Sequence, residues 1–210
     1  MYIVLNGDLK SSRKITDRGS VQKNLKNSLN HVNHTFQDHI IAEFRIVAGD
    51  GFQGMIDNPQ IILDIYFTLF EKIDHPFYLG IGTGNISTEL IADITEMDGD
   101  VFHKSSEALI SSKKEKQWIK LRTILENNDI IECSLNFLLE IMWDWTPRRR
   151  EIVLFYREND ENPAAIQLAS EKFGIEVRNV YKNLEGSKYS LVKYAATIIK
   201  KQLKKDWEMS

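Results

Sequence analysis

Residues 40–56 read Ile-Ile-Ala-Glu-Phe-Arg-Ile-Val-Ala-Gly-Asp-Gly-Phe-Gln-Gly-Met-Ile. The β-branched run Ile40–Ala48 meets Phe52–Ile56 across Gly49-Asp50-Gly51, and the pattern predicts a β-hairpin. Towards the N-terminus, Tyr2–Leu5 is a short apolar run stopped by Asn6-Gly7-Asp8, which reads as a buried strand ending at a turn. Between them Val21, Leu25, Leu29, Val32 and Phe36 recur every three or four residues, so Asp17–Phe36 is expected to be an amphipathic helix. Strand, helix and hairpin together give a split βαβ arrangement, with the hairpin's return strand slotted between two parallel strands.

Beyond the hairpin, Asn58-Pro59 signals a helix start and Ile61–Ile73 is apolar enough for a buried helix. Phe77–Gly84 reads as a strand whose glycines let another backbone pass close. The run Gly80-Ile-Gly82-Thr-Gly84 has no following Lys-Ser/Thr and is read as close packing, not as a phosphate loop. A helix is expected over Val101–Leu109, and Trp118–Ile124 is either a last strand or a helix start. The polar connectors are Ser111–Gln117 and Arg157–Asn162. After Asp129 the pattern is helical throughout: Ile130–Trp143, Thr146–Arg157, Pro163–Phe173, Glu176–Leu184 and Leu191–Leu203. The fold class is therefore α+β, with a sheet domain over 1–125, a connecting helix over 126–143 and a helical domain over 144–210.

The chain has 210 residues, 42% of them apolar, with formal net charge −3 and one cysteine, so it buries a real core and is no general coat for nucleic acid. The lone Cys133 excludes a disulfide framework and suits a reducing, cytoplasmic setting. The opening run is too short for a signal peptide, and no stretch approaches a membrane span. Charge divides unevenly: residues 1–140 carry 14 basic and 20 acidic side chains, residues 141–210 carry 13 and 10.

In the split βαβ arrangement both parallel strands finish at one end of the sheet, so Asp8 and Asp50 are expected to be neighbours although far apart in sequence. Paired carboxylates at such an edge suit Mg²⁺, which keeps waters and takes phosphate oxygens. Lys10, Ser11, Ser12 and Arg13 precede a helix, where backbone N–H groups and two cations suit a polyphosphate. The plainer alternative is that Gly-Asp is a turn dipeptide and Asp8 a helix cap.

The strings Asn6-Gly-Asp-Leu-Lys-Ser-Ser-Arg13, Ala48-Gly-Asp-Gly-Phe-Gln-Gly54 and Leu79-Gly-Ile-Gly-Thr-Gly84, in this order and spacing, resemble the SatD family of bacterial proteins. The N-terminal part is similar to palm-type nucleotidyl cyclase and diguanylate cyclase domains, a ferredoxin-like sheet in which a first-strand Asp and a Gly-Asp/Glu hairpin hold metals. That resemblance implies Asp8 and Asp50 as Mg²⁺ ligands. It adds Gly49 and Gln53 to Lys10, Ser11, Ser12 and Arg13 as the nucleotide-binding set. The chain departs from the pattern at Gly51, where such families carry a further acid. Two carboxylates then remain for two cations and for an attacking hydroxyl, which favours a sensor as much as an enzyme.

In the C-terminal part, Thr146 and Pro147 open a helix whose apolar face is Ile152, Phe155 and Tyr156. Ala164–Phe173, a tight turn at Gly174, and a helix with Ile175, Val180 and Leu184 inward follow at helix-turn-helix spacing. The block resembles region 4 of sigma factors. On that resemblance Glu176, Arg178, Asn179, Lys182 and Asn183 face a DNA major groove, with Arg148, Arg149 and Arg150 near phosphates. Bundles that never touch DNA share this helix–turn–helix spacing, and Lys200, Lys201, Lys204 and Lys205 are explained equally by a solvated helix end. His31, His34 and His39 lack a third ligand in register and are not assigned to a metal. Trp143 and Trp145 are read as core or interdomain anchors, and Cys133 as an inert core thiol.

The leading expectation is a cytoplasmic regulator of transcription, sensing a nucleotide or polyphosphate with Mg²⁺ and binding DNA, with a homodimer in keeping with that role. The alternatives are a nucleotidyl cyclase or nucleotidyltransferase using the helical part for dimerisation, and a non-catalytic adaptor.

Overall fold

The computed structural model describes residues 1–12, 17–73, 75–91 and 93–209. Its strands are β1 (Tyr2–Leu9), β2 (Ile40–Ala48), β3 (Gly51–Ile56), β4 (Phe77–Gly84) and β5 (Ile119–Arg122). Its α-helices are α1 (Arg18–Thr35), α2 (Ile62–Lys72), α3 (Asp100–Glu115), α4 (Asn128–Trp143), α5 (Pro147–Glu158), α6 (Pro163–Phe173), α7 (Val177–Gly186) and α8 (Tyr189–Glu208). The chain forms two compact units, one of residues 1–136 with 199–210, the other of residues 137–198.

The first unit is built on a five-stranded sheet of order β2-β3-β1-β4-β5. β1 is antiparallel to both β3 and β4, β2 is antiparallel to β3, and β4 is parallel to β5. The return strand β3 thus lies between β1 and β2, as the hairpin reading requires. β1 alternates between two faces after its buried centre, and its odd and even residues serve different layers. Leu9 and its cross-strand partner Phe77 share a face, where Phe77 packs on Tyr66 of α2 at 4.7 Å between ring centroids. On the other face Val4, Ala42 and Met55 form a core with Val101 and Phe102 of α3.

α3 runs closer to the sheet than side chains would permit. A Cβ on Gly80 would stand 2.2 Å from the backbone nitrogen of Leu109, and one on Gly82 2.5 Å from that of Ser105. These glycines admit the helix backbone itself, as the reading of close packing anticipated. α3 extends beyond the expected Leu109, so the first residues of the anticipated connector Ser111–Gln117 are helical. Ser112 is buried and continues the inward row of Ser105, Ala108 and Leu109, and the helix stops at Lys116 with φ of 57°. Trp118–Ile124 resolves into the strand β5.

Both sheet edges are closed by helix side chains. At β2, the Asn33 amide of α1 donates to the Phe44 carbonyl at 3.0 Å and accepts from its N–H at 2.8 Å. At β5, Asn136 of α4 accepts the Ile119 N–H at 3.2 Å and donates to its carbonyl at 2.9 Å. Glu132 accepts the Leu121 N–H at 2.8 Å and pairs with the largely buried Lys120 ammonium, also at 2.8 Å. The buried Asp206 near the end of α8 accepts from the backbone and side chain of Asn127.

In the second unit α5, α6 and α7 pack through Ile152, Ile166, Ala169 and Val180, flanked by Phe155, Tyr156, Phe173, Ile175, Val177 and Leu184. The buried Trp145 donates its indole N–H to the Ser187 carbonyl at 2.8 Å, a core role. Cys133 corrects the expectation of a core thiol: it is exposed, on a solvent face of α4 that also carries Ile130 and Phe137. Among the described residues no helix is long and apolar enough to cross a membrane.

Candidate functional site

The end of β1 and the β2–β3 turn adjoin, since Asp8 is the cross-strand partner of Gly51. Glycine is needed at the turn because Gly49 has φ of 61°, a left-handed conformation. The Gly49 carbonyl accepts the Gln22 side-chain amide of α1 at 2.9 Å, tying turn to helix. Asp17 caps α1 by accepting the Ser20 N–H at 3.0 Å.

Between turn and helix lies a cleft of about 180 Å³ lined by Leu9, Ser12, Arg18, Val21, Gln22, Gly49 and Asp50. One carboxylate oxygen of Asp50, Oδ2, is buried with no hydrogen-bond partner among the described residues. A buried acceptor left open is costly, and a donor or cation entering the cleft would satisfy it. Arg18 and the start of α1 supply the positive end for an anionic group.

The other candidates lie on the α3 face of the sheet. Asp8 pairs with the Lys113 ammonium of α3 at 2.6 Å, and its neighbour on that face, Asn6, donates to Ser106 Oγ at 3.2 Å. Gln53 is the cross-strand partner of Asn6 and shares that face. The Lys10 ammonium stands 4.4 Å from the Trp118 ring centroid and 5.6 Å from that of Tyr78, while its N–H donates to the Pro76 carbonyl. Ser11 is exposed with φ of 58°, and Arg13 lies outside the described residues. Ser12, Gly49 and Asp50 are thus gathered in one cleft, with Arg18 and Gln22 as partners that sequence reasoning missed. Asp8 and Lys10 are engaged elsewhere, and Gln53 lies on the α3 face with Asn6.

This arrangement bears on the expected Mg²⁺. The Asp8 carboxylate already has a cation in Lys113, and the cleft itself offers one carboxylate, Asp50, with neutral Ser12 and Gln22 beside it. Among the described residues no cluster of three or more His, Cys, Asp or Glu is disposed to hold a metal ion. Asp8 and Asp50 therefore do not form the pair of carboxylates expected to hold that cation.

In the helical unit α6 and α7 are joined by Gly174, Ile175 and Glu176, with Gly174 at φ of 60°. The Thr146 side chain caps α5 by accepting the Arg149 N–H at 3.3 Å. The three arginines that follow point to different partners. Arg148 donates to the Phe173 carbonyl at the end of α6 at 2.7 Å and stacks on the Phe173 ring. Arg149 is half-buried against Gly186, and Arg150 lies over the Trp143 ring. On α7, Arg178 and Lys182 are exposed, Arg178 pairing with Glu176 at 2.6 Å, while Asn183 donates to the Asn179 carbonyl.

No curated protein sequence matches the chain. Among solved structures, a regulator of polyketide synthase expression from Bifidobacterium adolescentis is 9% identical, with 99% of this chain and 80% of that chain covered. Its TM-score of 0.26 is too low to inform the fold or the function. The model of the SatD family matches residues 2–197, nearly the whole length, and the chain belongs to the SatD family.

Proposed function

We propose that the protein is a DNA-binding regulator whose sheet unit senses a small phosphorylated ligand. The observation that carries the reading is the α6–turn–α7 pair: a three-residue turn with left-handed Gly174, packed on α5 and leaving Arg178 and Lys182 of α7 exposed. The pair supports a helix-turn-helix reading, in which the second helix enters the major groove and its exposed side chains meet base edges and phosphates. Arg148 then serves the unit by capping α6, and the groove contacts fall to Arg178, Asn179 and Lys182.

The sensing half rests on the cleft at the β2–β3 turn, where Arg18 and the start of α1 favour an anionic group and the open Asp50 oxygen favours a ligand hydroxyl or amino donor. A nucleotide or a sugar phosphate has both. Sensing is favoured over turnover because Asp8 is neutralised by Lys113 and Gly51 stands where palm-type enzymes carry a further acid. A DNA reader of this kind works in the cytoplasm.

The test is fluorescence anisotropy of a labelled random-sequence duplex across a salt series. Binding should weaken log-linearly with salt, and Lys182→Ala should weaken it by about tenfold. Absence of salt-dependent binding sinks the DNA half. A thermal-shift panel of nucleotides and sugar phosphates, with and without Mg²⁺, tests the other half: stabilisation by one of them, lost in Asp50→Asn, is expected. No shift with any of them removes the sensing reading.

A further inference from the structure

Two helices present solvent-exposed rows with the same spacing and complementary chemistry. On α4 and the residue following it the row is Ile130, Cys133, Phe137, Glu140 and Asp144. On α8 it is Leu191, Tyr194, Ile198, Lys201 and Lys205. Each row advances by three, four, three and four residues, which is the a/d seam of a coiled coil. Asp144 keeps the helical course, since its N–H donates to the Glu140 carbonyl at 3.1 Å.

The apolar members are unusually open: Phe137 is 71% exposed, Ile130 68%, Tyr194 65% and Leu191 56%. Isolated exposed apolar residues are ordinary, but apolar residues in register along a helix mark a contact surface. The charges say what fits it. Within the rows themselves α4 and its following residue present the acids Glu140 and Asp144, whereas α8 presents Lys201 and Lys205. Laid parallel, the two rows set apolar against apolar over three positions and carboxylate against ammonium over the next two. The complement of each row is therefore encoded in the same chain.

We propose that two copies of this chain associate by packing α4 of one in parallel against α8 of the other, with the same contact made twice about a twofold axis. The second copy is preferred to a foreign partner because the match runs over five consecutive seam positions of one sequence. An antiparallel pairing would set the acids of α4 away from the lysines beyond Ile198. This surface uses neither the cleft at the β2–β3 turn nor the exposed face of α7, so it stands apart from the sensing and DNA readings.

Sedimentation velocity on the full chain at micromolar concentration is the experiment. The wild type should run as a dimer, and Phe137→Glu or Tyr194→Glu should weaken association by about thirtyfold or more, with circular dichroism unchanged. Asp144→Lys should weaken it less, and adding Lys205→Asp should restore it. With an added copper–phenanthroline oxidant taking up the two electrons and two protons, Tyr194→Cys should form a disulfide with Cys133 of the partner subunit, seen as a doubled mass on a non-reducing gel. A monomeric wild type, a dimer indifferent to both glutamate substitutions, an unrescued double charge reversal, or a single-mass band after oxidation would each overturn the proposal.

Discussion

A glycine serves opposite ends in the two units. At Gly80, where β4 meets α3, an added Cβ would lie 2.2 Å from the Leu109 backbone nitrogen, whereas at Gly174, between α6 and α7, it would meet nothing within 4 Å. The first glycine is there for space and the second for its φ of 60°. The sheet unit is thus held by backbone apposed to backbone, which cannot yield to an extra methyl group. The helical unit is held by a small side-chain core, and its turn asks only for a backbone conformation.

The contrast is broken most forcefully at Gly80. Gly80→Ala should cost about 4 kcal/mol or more, because neither α3 nor β4 can move without unmaking the sheet, and the sheet unit should melt while the helical unit keeps its signal. Thermal unfolding followed by far-ultraviolet circular dichroism and by tryptophan fluorescence reads both. Next comes Ile152→Ala, which empties the centre of the helical core at about 3 kcal/mol and should lower the transition of that unit. Gly174→Ala sharpens the comparison from the other side: it should cost only about 1 kcal/mol, the ordinary penalty for a left-handed non-glycine residue.

The closed edge at β5 adds a pH signature. Burial alone would lower the Lys120 pKa, but hydrogen bonds and charge from Glu115 and Glu132 outweigh it and raise the pKa above its ordinary 10.5. A raised folded pKa means the contribution is fully present below the unfolded value and is lost as pH rises through the folded one. Lys120→Met should therefore melt below wild type by a constant margin from neutral to mildly alkaline pH, and that margin should shrink above pH 10.5. A margin that does not narrow there would show that the loss is one of packing alone.

Sequence punctuation explains which parts were legible. Phe77–Gly84 and Pro163–Phe173 have the bounds expected of them, the first because glycine and β-branched residues are dense there, the second because Asn162-Pro163 and Gly174 mark both ends. The end of α3 was obscured because its inward row continues through Ser112, a small polar residue that reads as a connector but is buried. Cys133 misled in the opposite sense, since α4 is apolar on a solvent face as well as inward. In the site, hairpin and strand end were readable, but strand parity divides their side chains. Asp8 goes to the α3 face, where Lys113 awaits it on the very stretch of helix read as a connector. Arg18 and Gln22 escaped notice because they are ordinary surface residues of an amphipathic helix until the turn folds against them.

The amides of Asn33 and Asn136 have a meaning for the protein's behaviour among its own copies. Each mimics one peptide unit of a neighbouring strand, so the outer rims of β2 and β5 each have a strand backbone residue already engaged on both its donor and its acceptor. An unfilled rim is a template on which another chain can add a strand and then another, without limit. Here that growth is blunted at both ends by two side chains, which leaves the helical rows proposed above as the surface on which association would stop at a finite number of subunits.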